Sequence, residues 1–142
     1  MYIVSACLVG ENVKYNGGNN YNQGVVDFLK DKDYVLICPE MAGGLEAPRD
    51  PAERIEGRIV DRAGRDLTEA FNLGARRCWE KVLCAGDPEK IEGAILRFGS
   101  PSCGVGKIYD GTFSGVIVDG DGVFAELLRS KGIPLMTDKD FG

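Results

Sequence analysis

Three of the five cysteines stand in similar places along the chain. Cys7, Cys38 and Cys103 each follow a short apolar run and open a loop. Thiolates are strong ligands for soft metals, and three of them from separate loops can hold a cubane iron–sulfur cluster at three irons, leaving the fourth iron open. A buried free cysteine is also a common packing residue, so a shared site requires the three runs to be parallel strands ending on one edge. Cys78 and Cys84 lie six residues apart in a helical pattern. Partners on one helix face lie three or four apart, so these two read as packing residues.

Histidine is absent. That removes the usual proton shuttle, the Ser/His and Cys/His nucleophilic pairs and every His-containing zinc site. Acid–base work falls to Asp, Glu, Lys, Tyr, Ser or water. Cys38-Pro39-Glu40 puts a carboxylate beside a candidate ligand and makes Glu40 the candidate general acid or base, with the guanidinium of Arg49 a few residues on. The alternative for this stretch is a turn with a solvated Glu and Arg. In Ser100-Pro101-Ser102-Cys103-Gly104, the hydroxyls of Ser100 and Ser102 can bond a substrate or a cluster sulfur, although a serine before a turn commonly caps its own backbone. The backbone N–H groups near Gly104 can approach a ligand closely. Asp119-Gly120-Asp121-Gly122 begins like a calcium loop, but the later ligands are misplaced, and a helix cap is the better reading.

The elements that must position these residues follow from apolar patterning. Tyr2 to Leu8, Tyr34 to Cys38, Ile91 to Phe98 and Ile133 to Met136 read as buried strands. Asn22 to Lys32 predicts a short helix, and Thr68 to Ala85 a longer one, capped before Glu69, stopped by Gly86 and buried through Phe71, Ala75, Cys78 and Val82. Gly120 to Lys131 predicts a last helix, capped by Asp119 or Asp121 and ended by Gly132. Glu53 to Asp61 reads as a short extended arm, and the stretch around Tyr109-Asp110-Gly111 as turns. Strands alternating with helices imply an α/β fold of Rossmann-like type, with a mostly parallel sheet flanked by helices and a ligand site at the carboxyl ends of the strands.

Length and composition bound the function. The 142 residues fit a single domain, 1–142, able to bury a core without disulfide staples. The 44% hydrophobic and 27% charged fractions are those of a globular protein, and no apolar run approaches a membrane span. No basic leader precedes the first strand, which predicts a cytoplasmic protein. A net charge of −5 offers no general attraction for a polyanion, which favours a small molecule over intact nucleic acid.

The motifs Cys7-Leu8-Val9-Gly10, Tyr15-Asn16-Gly17-Gly18, Cys38-Pro39-Glu40, Gly44-Leu45, Pro48-Arg49, Ser100-Pro101-Ser102-Cys103-Gly104 and Tyr109-Asp110-Gly111 together resemble the thiouracil desulfidase family, long catalogued as a domain of unknown function. They span nearly the whole chain in order. The resemblance implies a [4Fe-4S] cluster on Cys7, Cys38 and Cys103, and removal of sulfur from a thiolated pyrimidine at the open iron. Asn16 departs from the Asp often found at that position. Some relatives carry a further domain and resemble RNA-directed enzymes, whereas one acidic domain favours a free base or nucleoside. On this reading Glu40 moves the proton, Ser100 and Ser102 orient the substrate, and Arg49, Gly104, Tyr109 and Asp110 help to bind it. The same residues also suit a non-catalytic sulfide carrier; a small-anion sensor with merely packing cysteines is the reading from another class.

Overall fold

The structure is a computed structural model describing residues 1–142. Strand β1 (Tyr2–Ser5) leads into a 3₁₀ turn at Ala6–Val9, helix α1 (Gln23–Leu29) and strand β2 (Tyr34–Ile37). A one-turn helix α2 (Pro39–Ala42) follows, then a hairpin of β3 (Ala52–Ile55) and β4 (Arg58–Asp61), and the long helix α3 (Thr68–Ala85). Strand β5 (Gly93–Leu96), a second hairpin of β6 (Lys107–Tyr109) and β7 (Ile117–Asp119), helix α4 (Val123–Ser130), β8 (Leu135–Thr137) and a 3₁₀ turn at Asp138–Phe141 complete the chain.

The main sheet is parallel throughout, in the order β2-β1-β5-β8. Its strands are apolar on both faces because both faces are covered. Ile3, Ile37, Ala94 and Leu96 pack against Ala75, Cys78 and Val82 of α3 and Phe124 and Leu128 of α4. Val4 and Ile95, pointing the other way, pack with Leu8 and with Val25 and Leu29 of α1. After β1 the chain passes to β2 on one side and later returns to β5 on the other. Such a reversal leaves a crevice at the carboxyl ends of the strands.

Several sequence expectations are corrected at their edges. The first strand ends at Ser5 rather than Leu8; Ala6–Val9 turns away, helped by Gly10 at φ 100, and Leu8 is apolar because it packs on α1. The third is confined to Gly93–Leu96, because the next two amides leave the ladder: Arg97 N–H donates to Ser5 Oγ and Phe98 N–H to Asp138 Oδ1. The fourth is Leu135–Thr137. Asn22, the first residue of the expected helix, is the N-cap of α1, accepting from Val25 N–H at 3.0 Å, a bond of a type worth about 1 kcal/mol. The start of α3 has no side-chain cap; Thr68 instead accepts from Ile59 N–H of β4 and donates to Asp66.

Neither Asp119 nor Asp121 caps α4, whose N-cap is Gly122. Asp121 accepts from Gly106 N–H and pairs with Arg129. The helix's first free N–H groups are satisfied by backbone instead: Val123 donates to Pro101 O, and Phe124 to Ser102 O at 2.8 Å. The expected arm at Glu53 to Asp61 is the β3–β4 hairpin, and the expected turns after Gly106 contain the β6–β7 hairpin. No helix is long and apolar enough to cross a membrane.

Candidate functional site

The crevice at the strand ends is a cavity of about 390 Å³, within the range of small-ligand sites. Cys7, Cys38 and Cys103 all line it. Each arrives by a different local device. Cys7 sits in the 3₁₀ turn after β1, where Asn20 Nδ2 donates to its Sγ at 3.5 Å and Asn20 N–H to its carbonyl at 2.9 Å. Cys38 is the N-cap residue of α2, with Pro39 at the first helical position where its missing N–H is harmless. Cys103 lies in a loop closed by Ser100, whose Oγ accepts from the N–H groups of Ser102 and Cys103, both at 3.1 Å.

That loop is also packed from outside. Gly104 N–H donates to Ser100 O at 2.7 Å, and a Cβ at residue 104 would fall 2.7 Å from the same oxygen and 2.8 Å from Ile108. Ser102 is buried and donates to Cys103 Sγ at 3.7 Å, while its Oγ lies 2.9 Å from that of Ser100. Since Ser102 gives its proton to sulfur, Ser100 donates to Ser102, so a line of hydroxyls runs toward Cys103.

Burial raises the thiols of Cys7, Cys38 and Cys103 above the ordinary cysteine range, Cys103 most of all. Hydrogen bonds from Asn20 to Cys7 and from Ser5 and Ser102 to Cys103 act in the opposite direction, as does Arg97 beside Cys7. Three thiolates around one such cavity would need a multivalent cation to offset their charge. No three His, Cys, Asp or Glu side chains are gathered closely enough to chelate one metal ion. Thiols spread around one cavity suit a polynuclear group with one thiolate per iron, and hydrogen bonds to the ligand sulfurs are what such groups use for tuning. The remaining cysteines stand apart from the cavity. Cys78 is buried in the core, its thiol pushed up to about 12 by burial, and Cys84 is exposed.

Glu40 also lines the cavity. Arg49 does not; it stands behind Glu40, donating to Glu40 Oε2 at 2.8 Å, Val13 O at 2.9 Å and Leu45 O at 3.2 Å. Both partners are largely buried, so the pair fixes the direction of the carboxylate. Ser100, Ser102 and Tyr109 are on the cavity wall, whereas Gly104 and Asp110 are not. Asp110 turns to Thr112, accepting from its N–H at 2.9 Å and its hydroxyl at 2.6 Å.

The cavity gains residues that patterning missed. Arg97 follows β5 and is held by buried Asp138 through a 2.5 Å contact. Its position just past a strand end is the signal that could have identified it. Asn20, Glu53 and Phe113 come from loops and hairpins with no such signal, and Arg62 follows β4 of a hairpin rather than a strand of the main sheet.

A doubly covered parallel sheet with three cysteines around a strand-end cavity defines an α/β protein built to carry a thiolate-bound cofactor. The profile of the 2-thiouracil desulfurase family matches residues 2–140, and the chain belongs to that family. It is 37% identical to YbbK, an uncharacterized protein of Bacillus subtilis, over 99% of this chain and 97% of the relative. It is also similar to the solved structure of TudS, a [4Fe-4S]-dependent thiouracil desulfidase. The TM-score is 0.87 and the identity 40%, covering 98% of this chain and 91% of that one.

Proposed function

We propose that this protein is an enzyme that converts a thiolated pyrimidine such as thiouracil to its oxo form, using a [4Fe-4S] cluster held by Cys7, Cys38 and Cys103. The observation that carries the reading is the convergence of these three thiols, from three separate strand ends, on one cavity that holds no fourth cysteine. When bound, a cluster tethered through three irons supplies a fourth as a Lewis acid for a soft thiocarbonyl sulfur.

The chain's own groups do the rest. Glu40, aimed by Arg49, accepts a proton from the water that attacks the ring carbon. The carbon–oxygen bond forms as the carbon–sulfur bond breaks, so thiouracil and water give uracil and hydrogen sulfide with no net electron transfer. Ser100 and Ser102 hold the Cys103 loop and orient the substrate, while Tyr109 and Arg97 bound the space it occupies. The substrate is a small molecule, a base or nucleoside, and the reaction takes place in the cytoplasm.

Anaerobic reconstitution tests this directly. The expected result is iron and sulfide near four of each per chain, and many turnovers of 2-thiouracil with uracil and sulfide released in equal amounts. In ¹⁸O-labelled water the uracil should carry the label. One sulfide per cluster and no turnover would instead describe a carrier, and absence of iron-dependent absorption would remove the cluster from the reading.

A further inference from the structure

The cavity has a second wall, made by the two hairpins, of which the chemistry above uses only Tyr109. Glu53 of β3 and Phe113 of the β6–β7 loop both line it. Oε1 of Glu53 accepts hydrogen bonds from the backbone N–H groups of Gly111 at 3.0 Å and Phe113 at 3.1 Å. A carboxylate taking two amides makes a strong, directional clamp. Phe113 has φ 57, in the left-handed region that a bulky side chain strongly disfavours. Backbone strain of this kind persists only where the surroundings over-determine it, and it collects at ligand sites.

The surroundings here do so. Gly111 is pressed on β3, where a Cβ would come within 2.8 Å of Ile55 Cβ, and Glu53 ties down the amides on both sides of Thr112. The guanidinium of Arg62 lies 5.6 Å from the centroid of the Phe113 ring, and the aromatic pairs of the chain do not include this ring. A strained, half-buried phenyl ring on the wall of a ligand-sized cavity therefore has a cation against it and no aromatic partner.

We propose that Phe113 is the platform on which the substrate's pyrimidine ring stacks, and that Glu53 is the positioning residue that holds it in place. The proposal rests on the desulfidase reading and adds the group that selects a flat heteroaromatic ring over a small acyclic thiocarbonyl. The cysteine edge handles sulfur; the hairpin wall recognises the ring.

Reconstituted wild type is compared with Phe113→Gly, Phe113→Tyr, Glu53→Ala and Glu53→Gln. Glycine keeps the left-handed backbone without the ring, tyrosine keeps the ring, and glutamine keeps an acceptor oxygen for the two amides. Iron per chain, kcat and KM for 2-thiouracil, and the Kd of uracil by calorimetry are measured on the same preparations. Phe113→Gly and Glu53→Ala should raise KM and the uracil Kd by about tenfold, within the range expected for losing one base–aromatic stack. Iron content should hold and kcat change little, and the Tyr and Gln variants should recover most of the affinity. Unchanged KM and Kd in Phe113→Gly would overturn the proposal, as would loss of kcat or iron with KM intact. If wild type neither turns over 2-thiouracil nor binds uracil, the desulfidase reading itself fails, an outcome visible before any variant is made.

Discussion

Gly74 of α3 lies against the carbonyl of Pro39 with no room for a methyl group between them: a Cβ at residue 74 would fall 1.8 Å from Pro39 O. Gly43 meets α3 in the same way, where a Cβ would be 2.1 Å from Ala70 O. These contacts seat the short helix that presents Cys38 and Glu40, so the longest helix places one of the three cysteines on the cavity wall.

Gly74→Ala should therefore cost both stability and cofactor. Alanine gains about 1 kcal/mol of helix propensity over glycine. Overpacking costs about 1–3 kcal/mol, and more where the obstacle is backbone that cannot rotate away, so the clash wins. A lower thermal midpoint together with reduced iron per chain is the expected result. A higher midpoint with full iron would show that α2 is placed by something else.

The cysteines should divide into two groups. Replacing Cys7, Cys38 or Cys103 singly by Ser should reduce iron retention and abolish turnover, since the cavity holds no spare thiol. Cys78→Ala with Cys84→Ala should keep both; alanine avoids putting a hydroxyl into the core at residue 78. Iron loss in the double variant would overturn the ligand assignment.

Glu40→Gln keeps the shape of the side chain and removes the proton acceptor. Iron content should be normal while kcat falls by about 10²- to 10⁴-fold, the contribution typical of a positioned acid–base group. Arg49→Ala should lower kcat less and leave the cluster in place, because it frees the carboxylate's direction without removing it. A Glu40→Gln variant with wild-type rate would exclude that residue as the base.

Alkylation offers a test that needs no substrate. With the cluster bound, iodoacetamide should modify exposed Cys84 alone. After removal of iron by a chelator, Cys7 and Cys38 should become reactive, but slowly at neutral pH, because burial raises both thiols and only the thiolate reacts. Their rates should therefore climb as pH rises above the ordinary thiol range. Buried Cys78 and Cys103 should stay protected until the protein unfolds. Rapid neutral-pH modification of Cys103 in the folded, iron-free protein would contradict this order.

Helix α3 was legible because eighteen residues carry one continuous stripe, Phe71, Ala75, Cys78 and Val82, and the apolar runs before Cys7, Cys38 and Cys103 declared a parallel sheet with the three cysteines at one edge. These signals are local: periodicity and chain direction need no knowledge of distant partners. The hairpins left a weaker imprint: β3 and β4 read as one extended arm from Glu53 to Asp61, and β7 is three residues long and exposed throughout. Nor does spacing show that Arg49 stands behind Glu40, that the carbonyls of Pro101 and Ser102 cap α4, or that Glu53 reaches amides 58 and 60 residues away. Residue types and their order determined the chemistry of the sulfur edge. The hairpin wall of the same cavity was decided only by the tertiary structure, because hydrogen bonds between remote loops depend on how the layers pack.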